Sequence, residues 1–419
     1  MIGIVILNLF LLLLGIIEGM YRVYKSKHFI EADSISHQED FSNLYSKVAV
    51  IIPVYNEQNV IRQSVLNFKP LMAAGIEVIY VATAKETVEI TTYSLLKDLV
   101  NEYQLSEYCK VMLYPEKDGV MAHQLNYAIN KVENDKIVLI YNVDSVVNKR
   151  TIDYILKNKD KLDNGVFQQY SYSTYETKNQ FLVSAIMWQN RWSIAYELPR
   201  TIDNFKHGIR KFNYVIGHGL ALRKEMLDRI GGFPEEQINE DNVLGYKLHA
   251  ENINIYPIPV LEKIDFASKL KIYVRQQSVW FNGPFYSFQY FSQLKKEKKT
   301  IPLFWAACQN FKNALNWLIF PYVTIFSLIY SLILKDIVWV ICILLMVLCY
   351  VAGINKMSEK LLVDKGYLKH KSGVNLKYAI SEMIFWLCIH SFGPLITIYK
   401  VIRRKNNQKN KYKTEKINY

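Results

Sequence analysis

Cysteine and charge are both scarce in this chain. Its five cysteines, Cys109, Cys308, Cys342, Cys349 and Cys388, show no CxxC or other ligand spacing, and three of them sit in apolar runs. That pattern indicates neither a disulfide framework nor a zinc site. Charged residues make up only 21% of the 419 residues, against 51% hydrophobic, which is too apolar for an ordinary soluble enzyme. A net charge of +13 comes without a basic patch of the nucleic-acid kind. Lys and Arg gather instead beside hydrophobic segments, at 295–299, 356–371 and 403–416, as basic clusters facing anionic lipid do. Membrane lipid is therefore an expected partner and nucleic acid is not.

The apolar excess lies at the two ends. Ile2 to Ile17 is unbroken apart from Asn8 and is followed by Arg22, Lys25 and Lys27. It lacks a charged n-region before it and a small-residue cleavage site after it, so residues 1–24 read as a retained membrane anchor. The basic flank predicts a cytoplasmic location for the chain beyond the anchor. Polar residues 25–46 read as a linker. Near the other end, Phe285, Tyr286, Phe288, Tyr290 and Phe291 precede Lys295, Lys296, Lys298 and Lys299, which suits interfacial helices over 286–313 lying on the cytoplasmic leaflet. Within 314–402, Ala314 to Leu334 and Ile337 to Ile354 are each about long enough to span, with a hairpin at Lys335 and Asp336. Gly393 and Pro394 interrupt the last run, Tyr378 to Ile402. A re-entrant pair of half-helices there keeps the basic tail, 403–419, in the cytoplasm.

Between these ends strands and helices alternate. Val48 to Pro53, Glu77 to Ala82, Lys110 to Tyr114 and Ile137 to Tyr141 read as strands, with helices over Asn59 to Phe68, Thr87 to Tyr103 and Met121 to Lys131. The alternation predicts an α/β fold with a mostly parallel, doubly wound sheet and a ligand crevice at the carboxyl ends of its strands. The run Ile137 to Tyr141 stops at Asn142, Val143, Asp144. Residues two apart on an extended chain face the same side, so Asn142 and Asp144 can share one divalent cation. Asn and Asp after a strand are also common turn residues.

VAVIIPVYNE, followed by HQLNYAI and a strand ending in NVD, resembles the nucleotide-sugar half of family 2 inverting glycosyltransferases with the GT-A fold. GHGLALRKEMLDRIGGFPEEQINEDNVLGYKL resembles the acceptor half of that family. The resemblance implies a cytoplasmic GT-A domain over 47–285. It implies nucleotide contacts from Pro53, Tyr55 and Glu57, acceptor contacts from Gly217, His218 and Gly219, and Asp241 as catalytic base with Glu240 orienting the loop. Transfer from a nucleoside diphosphate sugar needs its leaving diphosphate neutralised by a hard cation, Mg²⁺ or Mn²⁺, with Asp144 as ligand. It also needs one base for the acceptor hydroxyl. Plainer readings exist: the acidic pair favours the dipole of a helix Val243 to Glu251, and Asn56 caps a helix.

Departures from the family pattern are specific. The DxD is Asn142, Val143, Asp144. The base-holding Asp after the second strand is absent, leaving Glu86 as a replacement candidate. A Lys common before the next helix is Met121, with Lys117 or His123 able to face the phosphates. Gln276, Gln277, Ser278, Val279, Trp280 resembles the QxxRW motif of the cellulose, hyaluronan and chitin synthase group with Val279 in place of Arg, and it implies Gln276 and Trp280 as nucleotide-sugar-site residues. Trp280 equally suits a membrane-interface anchor.

The expected function is sugar transfer from a nucleoside diphosphate sugar, with UDP as the expected carrier, to a lipid-linked or growing saccharide. The expected place is the cytoplasmic face of a bacterial-type plasma membrane, in cell-surface or capsular polysaccharide synthesis. A processive polysaccharide synthase coupled to export is one alternative, against which Val279 and the few spans count. An inactive nucleotide-sugar-binding assembly partner is the other.

Overall fold

The structure is a computed structural model and describes residues 2–32, 40–207, 213–237, 239–369 and 376–403. Nearly all of the basic tail lies outside the described residues. Nine strands are present among them: β1 (Val48–Pro53), β2 (Glu77–Thr83), β3 (Cys109–Tyr114), β4 (Ile137–Ile140), β5 (Gly165–Gln168), β6 (Ser171–Tyr172), β7 (Leu220–Arg223), β8 (Asn254–Pro257) and β9 (Glu262–Lys263). Seven form one sheet in the order β3-β2-β1-β4-β7-β5-β8, and β6 pairs with β9 apart from it. Neighbours are parallel from β3 to β4, and β5 is parallel to β8, while β7 runs antiparallel to both β4 and β5.

Alternation along β1 explains the two covered faces. Val48, Val50 and Ile52 pack with Phe68 and Leu96 on one side, and Ala49 and Ile51 pack with Ala122 and Leu125 on the other. Buried apolar side chains on both faces are what a doubly wound sheet requires. Helices Ile61–Ala73, Thr92–Glu102 and Met121–Ile129 occupy the expected places with shifted starts. The second begins at Thr92 and not at Thr87, because Thr91 caps it by accepting from the Ser94 N–H at 3.1 Å. Asn56 is no cap: the first helix starts at Ile61 with Val60 before it, and Asn56 sits in a left-handed turn at φ 53°.

Four helices are long and apolar enough to cross a membrane, over Ile2–Ile30, Ile301–Ile333, Ile337–Asp364 and Leu376–Ile402. The first differs from expectation, since the helix Ile2–Ala32 continues into the segment expected as linker. No Pro or Gly interrupts residues 20–32, and Val23 and Ile30 are buried. Asn8, the polar exception in its apolar run, is buried and accepts from Thr324 Oγ1 at 3.0 Å, a polar tie between two apolar helices. The boundary expected at residue 314 also moves. One helix runs Ile301–Ile333, capped by Thr300 and primed by a proline in its first turn. The hairpin at Lys335 is present, with Lys335 at φ 55°. The last segment breaks at His390 and Ser391 into helical pieces Leu376–Ile384 and Phe392–Ile402, joined through a π-helical turn at Phe385–Ile389.

Candidate active site

A cavity of about 320 Å³ opens where β4 ends. Its lining brings together Asn142, Asp144, Gly217, His218, Glu240, Asp241, Gln276 and Trp280, eight residues singled out from sequence patterns that are far apart in the chain. The volume lies within the range of roughly 300–1,000 Å³ common for small-molecule sites. Pro53, Tyr55, Glu57 and Gly219 are outside this lining.

The turn after β1 is held rigidly from below. Glu86 is buried, and its two carboxylate oxygens accept from the Asn56 and Thr92 N–H groups, each at 2.6 Å. Glu86 therefore braces Tyr55–Glu57 against the helix Thr92–Glu102, and its oxygens are occupied by main chain. Gln124, inside the HQLNYAI stretch, donates from Nε2 to the Val54 and Val81 carbonyls at 3.0 and 2.7 Å, tying together the ends of β1 and β2. His123 caps its own helix, its Nδ1 accepting from the Val120 N–H at 3.2 Å. Lys117 is exposed.

Asp144 is buried and accepts from the Asp265 N–H at 3.0 Å through Oδ2. Asp265 lines the same cavity and was not singled out from sequence; its signal was a lone acid in the apolar stretch after β9. No group of three or more His, Cys, Asp or Glu ligands occurs among the described residues. Asp144, Asp265 and Asn142 nevertheless offer oxygen donors only, which fits a hard cation that takes its remaining ligands from a diphosphate and water.

The loop that carries Gly217, His218 and Gly219 is fixed by residues with no signal in the sequence pattern. Gln168 accepts from the Ile216 N–H at 2.7 Å through Oε1 and donates from Nε2 to the His218 carbonyl at 2.8 Å. Glu262, fully buried, accepts from Ser145 Oγ at 3.0 Å, and its Oε1 lies 2.8 Å from His218 Nδ1. One carboxylate thus connects the residue after Asp144 with the loop that carries His218. Gly219 adopts φ +65°, and a Cβ there would lie 2.6 Å from the Gln169 carbonyl, so only glycine serves.

The acidic pair opens the helix Glu240–Ala250, three residues earlier than expected. Glu240 is buried beside Gly217, and Asp241 Oδ1 accepts from the Asn242 N–H at 2.7 Å. The helix dipole favours both charges, and both residues line the cavity. Asn239 donates from Nδ2 to the Val279 carbonyl at 3.3 Å, and a Cβ at Gly283 would meet Asn242 at 2.6 Å. These contacts seat the acid pair against the helix Leu270–Phe285, which carries Gln276 and Trp280.

Among the cavity-lining side chains, Arg200 Nε, Asn239 Oδ1, Asn242 Oδ1, Gln277 Nε2 and His390 Nδ1 are buried polar atoms with no hydrogen-bond partner among the described residues. Buried polar groups are normally paired, so such atoms in a cavity wall are open to a polyhydroxylated ligand. Opposite stand Trp188, Trp192 and Tyr196, with Trp192 and Tyr196 stacked at 4.1 Å between ring centroids. Asn310, Asn313, Trp317 and His390 close the cavity from the apolar helices.

A doubly wound sheet with an Asn-Val-Asp loop at its crevice, facing a helix-borne acid pair, defines a GT-A-type nucleotide-sugar transferase. The chain belongs to the glycosyltransferase like family 2, whose model matches residues 46–283, more than half of its length. It is a glycosyltransferase acting on nucleotide sugars. It is 21% identical over 304 residues to the probable glycosyltransferase YdaM of Bacillus subtilis (strain 168), covering 69% of this chain and 67% of that one. Its fold is similar to that of the mannosyltransferase PcManGT from Pyrobaculum calidifontis, solved in complex with GDP-Man and Mn²⁺, with a TM-score of 0.53, 14% identity and coverage of 95% and 99% of the two chains. S. aureus TarS 1-349 in complex with UDP-GlcNAc matches at a TM-score of 0.41 and 15% identity, over 81% and 90% of the chains.

Proposed function

We propose that the protein is an inverting glycosyltransferase that passes a sugar from a nucleoside diphosphate sugar to a lipid-linked or growing saccharide at the cytoplasmic membrane face. The observation that carries this reading is the shared cavity, in which Asp144 and the Glu240–Asp241 pair line one chamber of about 320 Å³. In this reading Asp144, assisted by Asn142 and Asp265, holds a divalent cation, which supplies charge neutralisation at the leaving diphosphate. The solved complex of PcManGT with GDP-Man and Mn²⁺ supports a divalent cation as cofactor. Asp241 takes the proton of the acceptor hydroxyl, and Glu240 sets its loop. Pro53, Tyr55 and Glu57 hold the nucleotide end on the braced turn outside the chamber. Gly217, His218 and Gly219 shape the acceptor side, and Trp280 with Gln276 borders the transferred sugar.

The four long apolar helices and the aromatic and basic helices before them support action at a membrane. The test is incubation of membranes carrying the full chain with a panel of nucleotide sugars, with and without EDTA. One nucleotide sugar is consumed and EDTA stops its consumption. Consumption of none contradicts the reading and favours the binding partner, and a long polymer product favours the processive synthase.

A further inference from the structure

Trp188, Trp192, Tyr196 and Arg200 recur every four residues and all line the cavity. Positions four apart drift around an α-helix, but a π-helical turn at Ser193–Glu197 holds more residues per turn and brings them closer into line. Arg200 ends this stripe. It is only 6% exposed, and its guanidinium lies over the rings of Tyr196 and Tyr214 at 5.1 and 4.6 Å. Its Nε is buried with no hydrogen-bond partner among the described residues. The buried Glu197 carboxylate acts on this guanidinium, yet Nε keeps no partner, and a buried donor left over in a cavity wall is a place for a further anion.

Two contacts say which anion. Tyr214 packs against the base-bearing helix: a Cβ at Gly245 would lie 2.8 Å from Tyr214 Cα. Arg200 is therefore tied through Tyr214 to the helix that carries Glu240 and Asp241. The Tyr196 ring also meets Arg22 at 4.9 Å, where the first apolar helix turns polar, and Ser26 Oγ donates to the Ile194 carbonyl at 2.6 Å. Arg200 thus stands level with the end of an apolar helix, the depth at which lipid phosphates lie.

We propose that Arg200 is the subsite for the phosphate of a lipid-linked acceptor, with Tyr196 and Tyr214 presenting its guanidinium to that phosphate. This rests on the transfer reading above, and it names the acceptor class as an anionic lipid carrier. Glu197, which accepts from Tyr214 Oη at 3.0 Å, positions the tyrosine beneath the guanidinium.

The test uses the full chain in phosphatidylcholine nanodiscs, with a polyisoprenyl monophosphate and the matching polyisoprenol as probes and UDP as a donor-side control. The wild type binds the phosphate at least about tenfold tighter than the alcohol, as a charge-assisted pair implies. R200M brings that ratio close to one and leaves UDP affinity within about twofold, and R200K lowers the ratio about threefold or more because a point charge lacks the planar fork. Equal wild-type affinity for the two probes overturns the proposal, as does an unchanged ratio in R200K or R200M. A parallel loss of UDP binding in R200M overturns it too, by assigning the anion to the donor. If R200M does not fold, R200K and the wild-type ratio decide alone. A wild type that prefers the phosphate yet consumes no nucleotide sugar defeats the transfer reading and leaves the subsite standing.

Discussion

Asp144 reaches the cavity from the end of a buried strand, whereas Asp241 reaches it from the first turn of a helix locked against other helices. On the donor side, β1 and β4 are hydrogen-bonded neighbours, and the turns after them are braced by Glu86, Gln124 and the Asp265 N–H. Few long-range choices enter. On the proposed acceptor side, the wall is assembled from Trp188, Trp192, Tyr196, Arg200, Tyr214, Asp241, Gln277, Asn313, Trp317 and His390, segments that meet only in the finished fold. Under the proposed function the contrast divides one chemistry in two: a few turns at a sheet edge suffice for a constant diphosphate, while a variable acceptor needs a wall that can change segment by segment.

The comparison can be broken by variants that act on one side only. D241N has the largest expected effect: kcat falls by about 10²- to 10⁴-fold, the usual contribution of a general base, with donor affinity unchanged in a binding titration. D144A is next, with transfer and donor binding both falling by about 10²-fold and the residual binding losing its response to EDTA, as removal of a cation ligand implies. Donor binding that survives D144A would remove Asp144 from the donor side. E86A is smaller. It frees two buried N–H groups, lowers stability by about 3 kcal/mol in denaturant unfolding, and raises KM for the nucleotide sugar while leaving KM for the acceptor alone. A rise in acceptor KM instead would mean that the two sides are not separable.

Legibility in the sequence divides the same way. Ile137 to Tyr141 could be read as a strand delivering Asp144 because apolar runs and the residues that end them are local signals, and the same holds for β1 and its turn. The acid pair was legible through its resemblance to a family pattern, and local periodicity alone would have left it as a helix start. Glu86 reads as a candidate for holding the nucleotide base because the family places an Asp after the second strand; its bonds to the Asn56 and Thr92 N–H groups are set by tertiary packing and have no local signal. Gln168, Gln169 and Glu262 carried no signal, since a buried polar residue looks like any other until its partners are known. The stripe Trp188, Trp192, Tyr196, Arg200 was printed in the sequence at a constant spacing. An apolar, aromatic helix reads as core, however, and only the cavity shows that this face is lined with space.

The proposed inversion requires diphosphate and base to stand on opposite sides of the transferred sugar, so that one displacement completes the reaction. The anomeric configuration of the first product, read from its proton NMR spectrum with a donor of known configuration, tests this most directly. The account predicts a product with the configuration opposite to the donor's, and a product that keeps the donor's configuration would contradict it.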